Sequence, residues 1–147
     1  MYNIGYLLIC EDIVKAGKNQ TIILNPTNTI EFKEFPAKRK LKIVLSLVGD
    51  IKGVDYPFPK AEFKVIITDS KGEKTFESDV SSFTPPKVDD HDEFSFVAAS
   101  LAMSFNVEFK ATGLHKIEVL INDDKKKELL VPICKKTQRL ESDDYGE

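Results

Sequence analysis

Strict alternation of side-chain character from Val97 to Phe109 constrains this chain more than any other feature. The odd positions are Val97, Ala99, Leu101, Met103, Phe105, Val107 and Phe109, while the even ones include Ser100, Ser104, Asn106 and Glu108. Successive side chains of an extended strand point to opposite faces, so a run of this kind lays one apolar face on a core and turns the other outward. Alanine and leucine in FVAASLAMS would permit a helical turn, but SFNVEFK keeps period two too cleanly for a helix. The expectation is one long strand, with Phe105 and Phe109 on its buried face.

Shorter runs repeat the theme. Tyr2 to Ile9 reads as an apolar strand, followed by a turn at Lys15 to Asn19, a short strand at Thr21 to Leu24 ending at Asn25-Pro26, and another at Thr29 to Phe32. In LKIVLSLVG, Leu41, Ile43, Leu45 and Leu47 share one parity while Val44 and Val48 enrich the other, the pattern of a well-covered central strand. Phe63, Val65 and Ile67 lead into Asp69-Ser70-Lys71-Gly72, a turn with aspartate first and glycine last, which predicts a hairpin with the strand through Phe76. Gly113 precedes a second hairpin, His115 to Ile121 and Leu129 to Ile133, reversed at Asn122 to Lys125. Gly53, Pro57 and Pro59 mark one irregular loop, and SSFTPPKVDDHDE marks another.

Seven to nine short strands without a long amphipathic helix predict an all-β fold, a two-sheet antiparallel sandwich. At 147 residues and 41% hydrophobic the chain is long enough for one domain with a real core. That domain is expected over residues 1–135, with residues 136–147 as a polar, disordered acidic C-terminal tail.

The segments LLICEDIVKAGK, FPAKRKLKIVLSLVG and FNVEFKATGLHKIEVLIND, the last followed by LLVPI, resemble a group of uncharacterised bacterial β-sandwich proteins that open with an apolar strand, an acidic residue and a glycine-containing turn. The resemblance implies the sandwich and carries no active site with it.

The charge balance, 21 basic against 24 acidic residues and a formal net charge of -3, gives no electrostatic footprint for nucleic acid, which is disfavoured as a partner. The first residues lack a basic secretory leader or an apolar span of membrane length, so a cytoplasmic setting is expected and no membrane span. Cys10 and Cys134 read as reduced small hydrophobes rather than a disulfide, and the acids after Cys10 make it a poor thiolate.

No motif in the chain carries recognisable chemistry, so no catalytic residue, metal ligand or cofactor is expected. Asp89 to Glu93, including His91, offers carboxylates and an imidazole, but adjacent residues rarely converge on one ion, and a solvated loop is the stronger reading. His115, just after Gly113-Leu114, reads as a turn or strand-edge residue rather than a general base. The basic runs Lys38-Arg39-Lys40 and Lys125-Lys126-Lys127 read as solvated charge. Pro57-Phe58-Pro59 and Phe83-Thr84-Pro85-Pro86 supply the better clue: Phe58 and Phe83, in proline-bearing loops, either cap the sandwich or are presented to a protein partner at reduced entropy cost. The expected function is an interaction or structural accessory module without catalysis, possessing a protein partner or a second copy of itself. A small-ligand-binding β-barrel and an unrecognised hydrolase are the alternatives.

Overall fold

The computed structural model describes residues 1–17, 20–87 and 96–136. Within them lie ten strands: β1 (Tyr2–Lys15), β2 (Thr21–Thr27), β3 (Ile30–Phe32), β4 (Ala37–Asp50), β5 (Ala61–Thr68), β6 (Lys74–Glu77), β7 (Ser81–Phe83), β8 (Phe96–Phe109), β9 (Gly113–Ile121) and β10 (Asp124–Lys135). They form two sheets, one ordered β2-β1-β4-β8 and the other β3-β10-β9-β5-β6, with β7 also on β5. The all-β expectation holds. The antiparallel expectation needs one correction, because β3 runs parallel to β10, pairing Ile30 with Ile133. The chain crosses from one sheet to the other between β2 and β3, which places β3 beside β10 rather than beside its neighbour in sequence.

Several strands outrun their sequence signals. β1 continues through the acidic Glu11-Asp12, because β2 pairs with it from Ile9↔Thr27 to Lys15↔Thr21. β2 passes through Asn25-Pro26, where a strand end was expected, with Asn25 at a φ of 50°. In that left-handed region asparagine is among the better tolerated residues. Both predicted hairpins are present. Asp69 Oδ1 accepts the backbone N–H groups of Lys71 and Glu73 in the first, and Asn122 and Asp123 take positive φ in the second, which suits a tight reversal.

The core lies between the sheets. Ile43 and Leu45 of β4 and Val65 and Ile67 of β5 are completely buried, and Ile117, Val119 and Ile121 of β9 nearly so. At ~1.5–3 kcal/mol per large aliphatic side chain removed from water, this cluster supplies the main driving force of folding. Val44, on the opposite parity of β4, is buried as well. His115 corrects its assignment to a turn or edge: it is 3% exposed within β9, its ring edge-on to Phe109 at 5.6 Å and its Nδ1 3.0 Å from the Gly113 carbonyl oxygen. An imidazole fits there because that carbonyl partners one nitrogen while the Phe109 ring packs against it in a T-shaped contact.

Between β4 and β5, Ile51 and Phe58 are buried, and the Tyr2 hydroxyl donates to the Pro59 carbonyl oxygen. On β5, Ser78 joins β6 to β7: its N–H donates to the Val65 carbonyl, and its Oγ accepts the Val65 N–H at 2.9 Å. Residues 137–147, where the tail was expected, lie outside the described residues.

Candidate functional site

Every open sheet ends in two strands with unpaired backbone groups, and proteins normally blunt such edges with short length, charge, proline or bulges. Three of the edges here carry those devices. β2 contains Pro26, which has no N–H, and the left-handed Asn25. β3 has three residues. β6 and β7 have four and three, and the pairing of β6 with β5 slips between Ile67 and Thr68.

β8 is different. It is a terminal strand of 14 residues in unbroken antiparallel register with β4, from Asp50↔Phe96 to Ala37↔Phe109. Residues 96–107 contain no charge, proline or glycine. Its inward residues change character along the strand: Val107 and Phe109 are buried, whereas Val97, Ala99, Leu101, Met103 and Phe105 are only half-buried. Phe105 meets Phe76 of β6, with ring centroids 5.6 Å apart.

The outward face of β8 begins with the exposed Phe96 and is small from there on, with Ala98, Ser100, Ala102 and Ser104 exposed. Ser46 on β4 accepts the Tyr6 N–H at 2.9 Å, and the Tyr6 hydroxyl lies 3.2 Å from Ser100 Oγ, so β1 is stitched across β4 to β8. Gly5 permits this stitch, since a Cβ there would stand 2.4 Å from Ser46 Oγ. The register between β1 and β4 shifts at the same place, between Ile4 and Leu7.

Two surface depressions lie along β8. One of about 540 Å³ is lined by Val97 to Ser100, Ser46, Phe83, Pro86 and the β1–β2 connection with Lys15 and Thr21. β4 lies between β1 and β8, so this shared lining reflects a sheet curled into a half-barrel. The other, of about 470 Å³, is lined by Lys38, Arg39 and Lys40 of β4 with Asn106, Val107 and Glu108. Lys42, next in that lysine row, is tied to Asp12 at 2.8 Å, which together with the Ile13 N–H holds the Asp12 carboxyl below its usual range.

The two phenylalanines singled out in the sequence fare differently. Phe58 is 3% exposed and edge-on to Tyr56 at 5.6 Å, so it is a core side chain rather than a presented anchor. The Pro57-Phe58-Pro59 segment, between β4 and β5, turns the ring inward. Phe83 is half-buried in β7, opposite Ala61, and lines the larger depression.

The second basic run is neutralised locally: Lys125 lies 3.2 Å from Glu128, and Lys126 3.8 Å from Asp124. Cys10 is buried and its thiol is pushed up, first by that burial and also by Asp12, against an opposing influence of Lys42. A third depression, of about 360 Å³, includes His115 and Asp69, but the Asp69 carboxylate is committed to backbone N–H groups. Among the described residues no three His, Cys, Asp or Glu side chains converge as a metal site. Asp89 to Glu93 lie outside the described residues. No helix among the described residues is long and apolar enough to cross a membrane.

Sequence reasoning noted Lys38 to Lys40 and Phe83 but read Lys15 only as part of a turn and did not identify β8 as an edge strand. The available signal was the uncharged run from Phe96 to Val107, set in a chain of which 31% is charged.

Fold and surface together define an all-β, two-sheet protein with, among the described residues, a long sheet edge on β8 that lacks charge, proline and glycine from Phe96 to Val107. The chain belongs to a family of unknown function (DUF6941), whose profile matches residues 5–133. No curated protein matches it. Among solved structures it is similar to the Pseudomonas fluorescens alkylpurine DNA glycosylase AlkC bound to DNA containing an abasic site analog, with a TM-score of 0.50 and 11% identity. That likeness covers 90% of this chain and 30% of the glycosylase, and at such identity it concerns the fold alone.

Proposed function

We propose that this protein is an interaction module that accepts an extended segment of a partner protein on the free edge of β8. The observation that carries the reading is the strand itself: 14 residues in unbroken register, with no charge, proline or glycine between Phe96 and Val107. Strand addition uses the outward N–H and C=O groups of such an edge for affinity and the flanking side chains for selectivity. Phe83 and Pro86 border the first half of the edge, so the loop that sequence reasoning favoured for partner contact contributes here through Phe83 rather than Phe58. No observation among the described residues favours the ligand-binding barrel or the hydrolase. The intracellular setting is part of the same proposal, supported by two free cysteines.

Amide hydrogen exchange by NMR tests the reading. In an edge strand alternate N–H groups bond to the neighbour and the others face outward. Between Val97 and Val107 the outward set is expected to exchange at least ~10-fold faster than the set bonded to β4, and to slow when a strand-forming peptide is added. Equal protection of both sets in the free monomer would mean that the edge is already covered, and would end the proposal.

A further inference from the structure

We infer that the segment received by β8 is a strand of alternating apolar and acidic residues, an inference that rests on the strand-addition reading. An added strand continues both faces of the sheet, so its side chains inherit two different environments. On the inward side it meets the half-buried Val97, Leu101, Met103 and Phe105, together with Phe83 from β7. On these positions the partner gains by covering apolar surface at ~25 cal/mol per Å².

The basic groups along β8 supply the other half of the argument. Lys15 lines the depression at the start of the strand, and Lys38, Arg39 and Lys40 line the one at its end, where Glu108 is the acid among the described lining residues. Lys38 and Lys40 lie on the outward face of β4, beside Glu108 and Asn106 of β8. With strands about 4.8 Å apart, an added backbone would run about 10 Å from β4, a gap that a lysine and a glutamate bridge from opposite sides. Among the described residues the edge is therefore neutral along its middle and carries three cations toward its ends, Lys15, Lys38 and Lys40, against two acids, Asp50 opposite Phe96 and Glu108. Acidic residues at outward positions match that field, and lysines there would meet like charge. A second copy of β8 offers phenylalanine, alanine, serine and asparagine at those positions and a single acid, Glu108, so it supplies one acid where an alternating acidic strand supplies several.

The test uses the full chain and three labelled probes: a ten-residue peptide alternating valine and glutamate, its valine and lysine counterpart, and a ten-nucleotide oligothymidylate. Fluorescence anisotropy at about 50 mM salt is expected to show the glutamate peptide binding at least ~10-fold tighter than the lysine peptide, with the difference shrinking at about 0.5 M salt. Amide exchange should place the bound peptide on β8. Combining Lys15→Glu with Lys40→Glu should abolish or reverse the preference while leaving the circular dichroism spectrum unchanged; should that variant fail to fold, the salt series on the wild-type chain serves as the second measure. Equal binding of both peptides, with protection of β8, would overturn the charge preference and leave strand addition standing. Failure of both peptides to slow the outward amides would overturn both readings. Tighter binding of the oligothymidylate, or concentration-dependent protection of β8 without any probe, would assign the surface to nucleic acid or to a second copy and overturn this one.

Discussion

β8 and β9 follow one another in the chain and share the same period-two pattern, but they bury it to different depths. β9 lies between β5 and β10, and its inward Ile117, Val119 and Ile121 are almost fully removed from solvent. β8 has a neighbour on one side only, and five of its seven odd-numbered residues remain half-buried. Alternation records which face a strand turns inward, and the number of neighbouring strands sets how completely that face is covered. The half-covered face and open edge of β8 are therefore two aspects of one position in the sheet.

The strongest challenge to this contrast is a pair of truncations within β8. Phe109→Ala, at a site 2% exposed and packed on Phe32 and His115, is expected to cost ~3–5 kcal/mol in urea unfolding. Phe105→Ala removes a ring that is only half-buried, and about 1.5–2.5 kcal/mol is expected. From the sequence both rings were expected to be equally buried. Equal losses in the two variants would mean that β8 is covered along its whole length, and the contrast with β9 would disappear.

A smaller effect is expected in the turn joining β5 and β6. The Glu73 N–H, followed by that of Lys71, holds the Asp69 carboxyl below its usual range. A carboxylate depressed in the folded state contributes stability above its unfolded pKa, and that contribution is lost as pH falls through the folded value. Below about pH 4 the wild-type protein should thus lose stability more steeply than Asp69→Asn in acid titrations followed by circular dichroism. Parallel curves would show that the turn does not depend on the ionised carboxyl.

The smallest expected effect belongs to the edge. Ala102→Lys adds a charge at an exposed position of β8, and melting stability should change by no more than ~0.5 kcal/mol. A lysine at this position is a blunting device that the strand lacks. A large loss would indicate that Ala102 faces a packed neighbour.

Local chemistry along the chain was sufficient for the strand class, both hairpins and the inward parity of β4, β5, β8 and β9. These follow from side-chain alternation and from the backbone preferences of Asp, Asn and Gly, which act over a few residues. Phe58 was legible as a loop residue but not as a buried one, because its segment is met by Tyr2, whose hydroxyl bonds the neighbouring Pro59 carbonyl from far away in sequence. Likewise, nothing near His115 in sequence announces Phe109 against its ring, and nothing near Thr29 to Phe32 announces a parallel partner in β10. The same holds for the proposed site. An uncharged run from Phe96 to Val107 is equally compatible with a central strand and an edge strand, since alternation is blind to what lies beside it. Only the sheet order, with β8 paired to β4 and terminal, turned that run into an open edge and gathered Lys15, Lys38 and Phe83 along it.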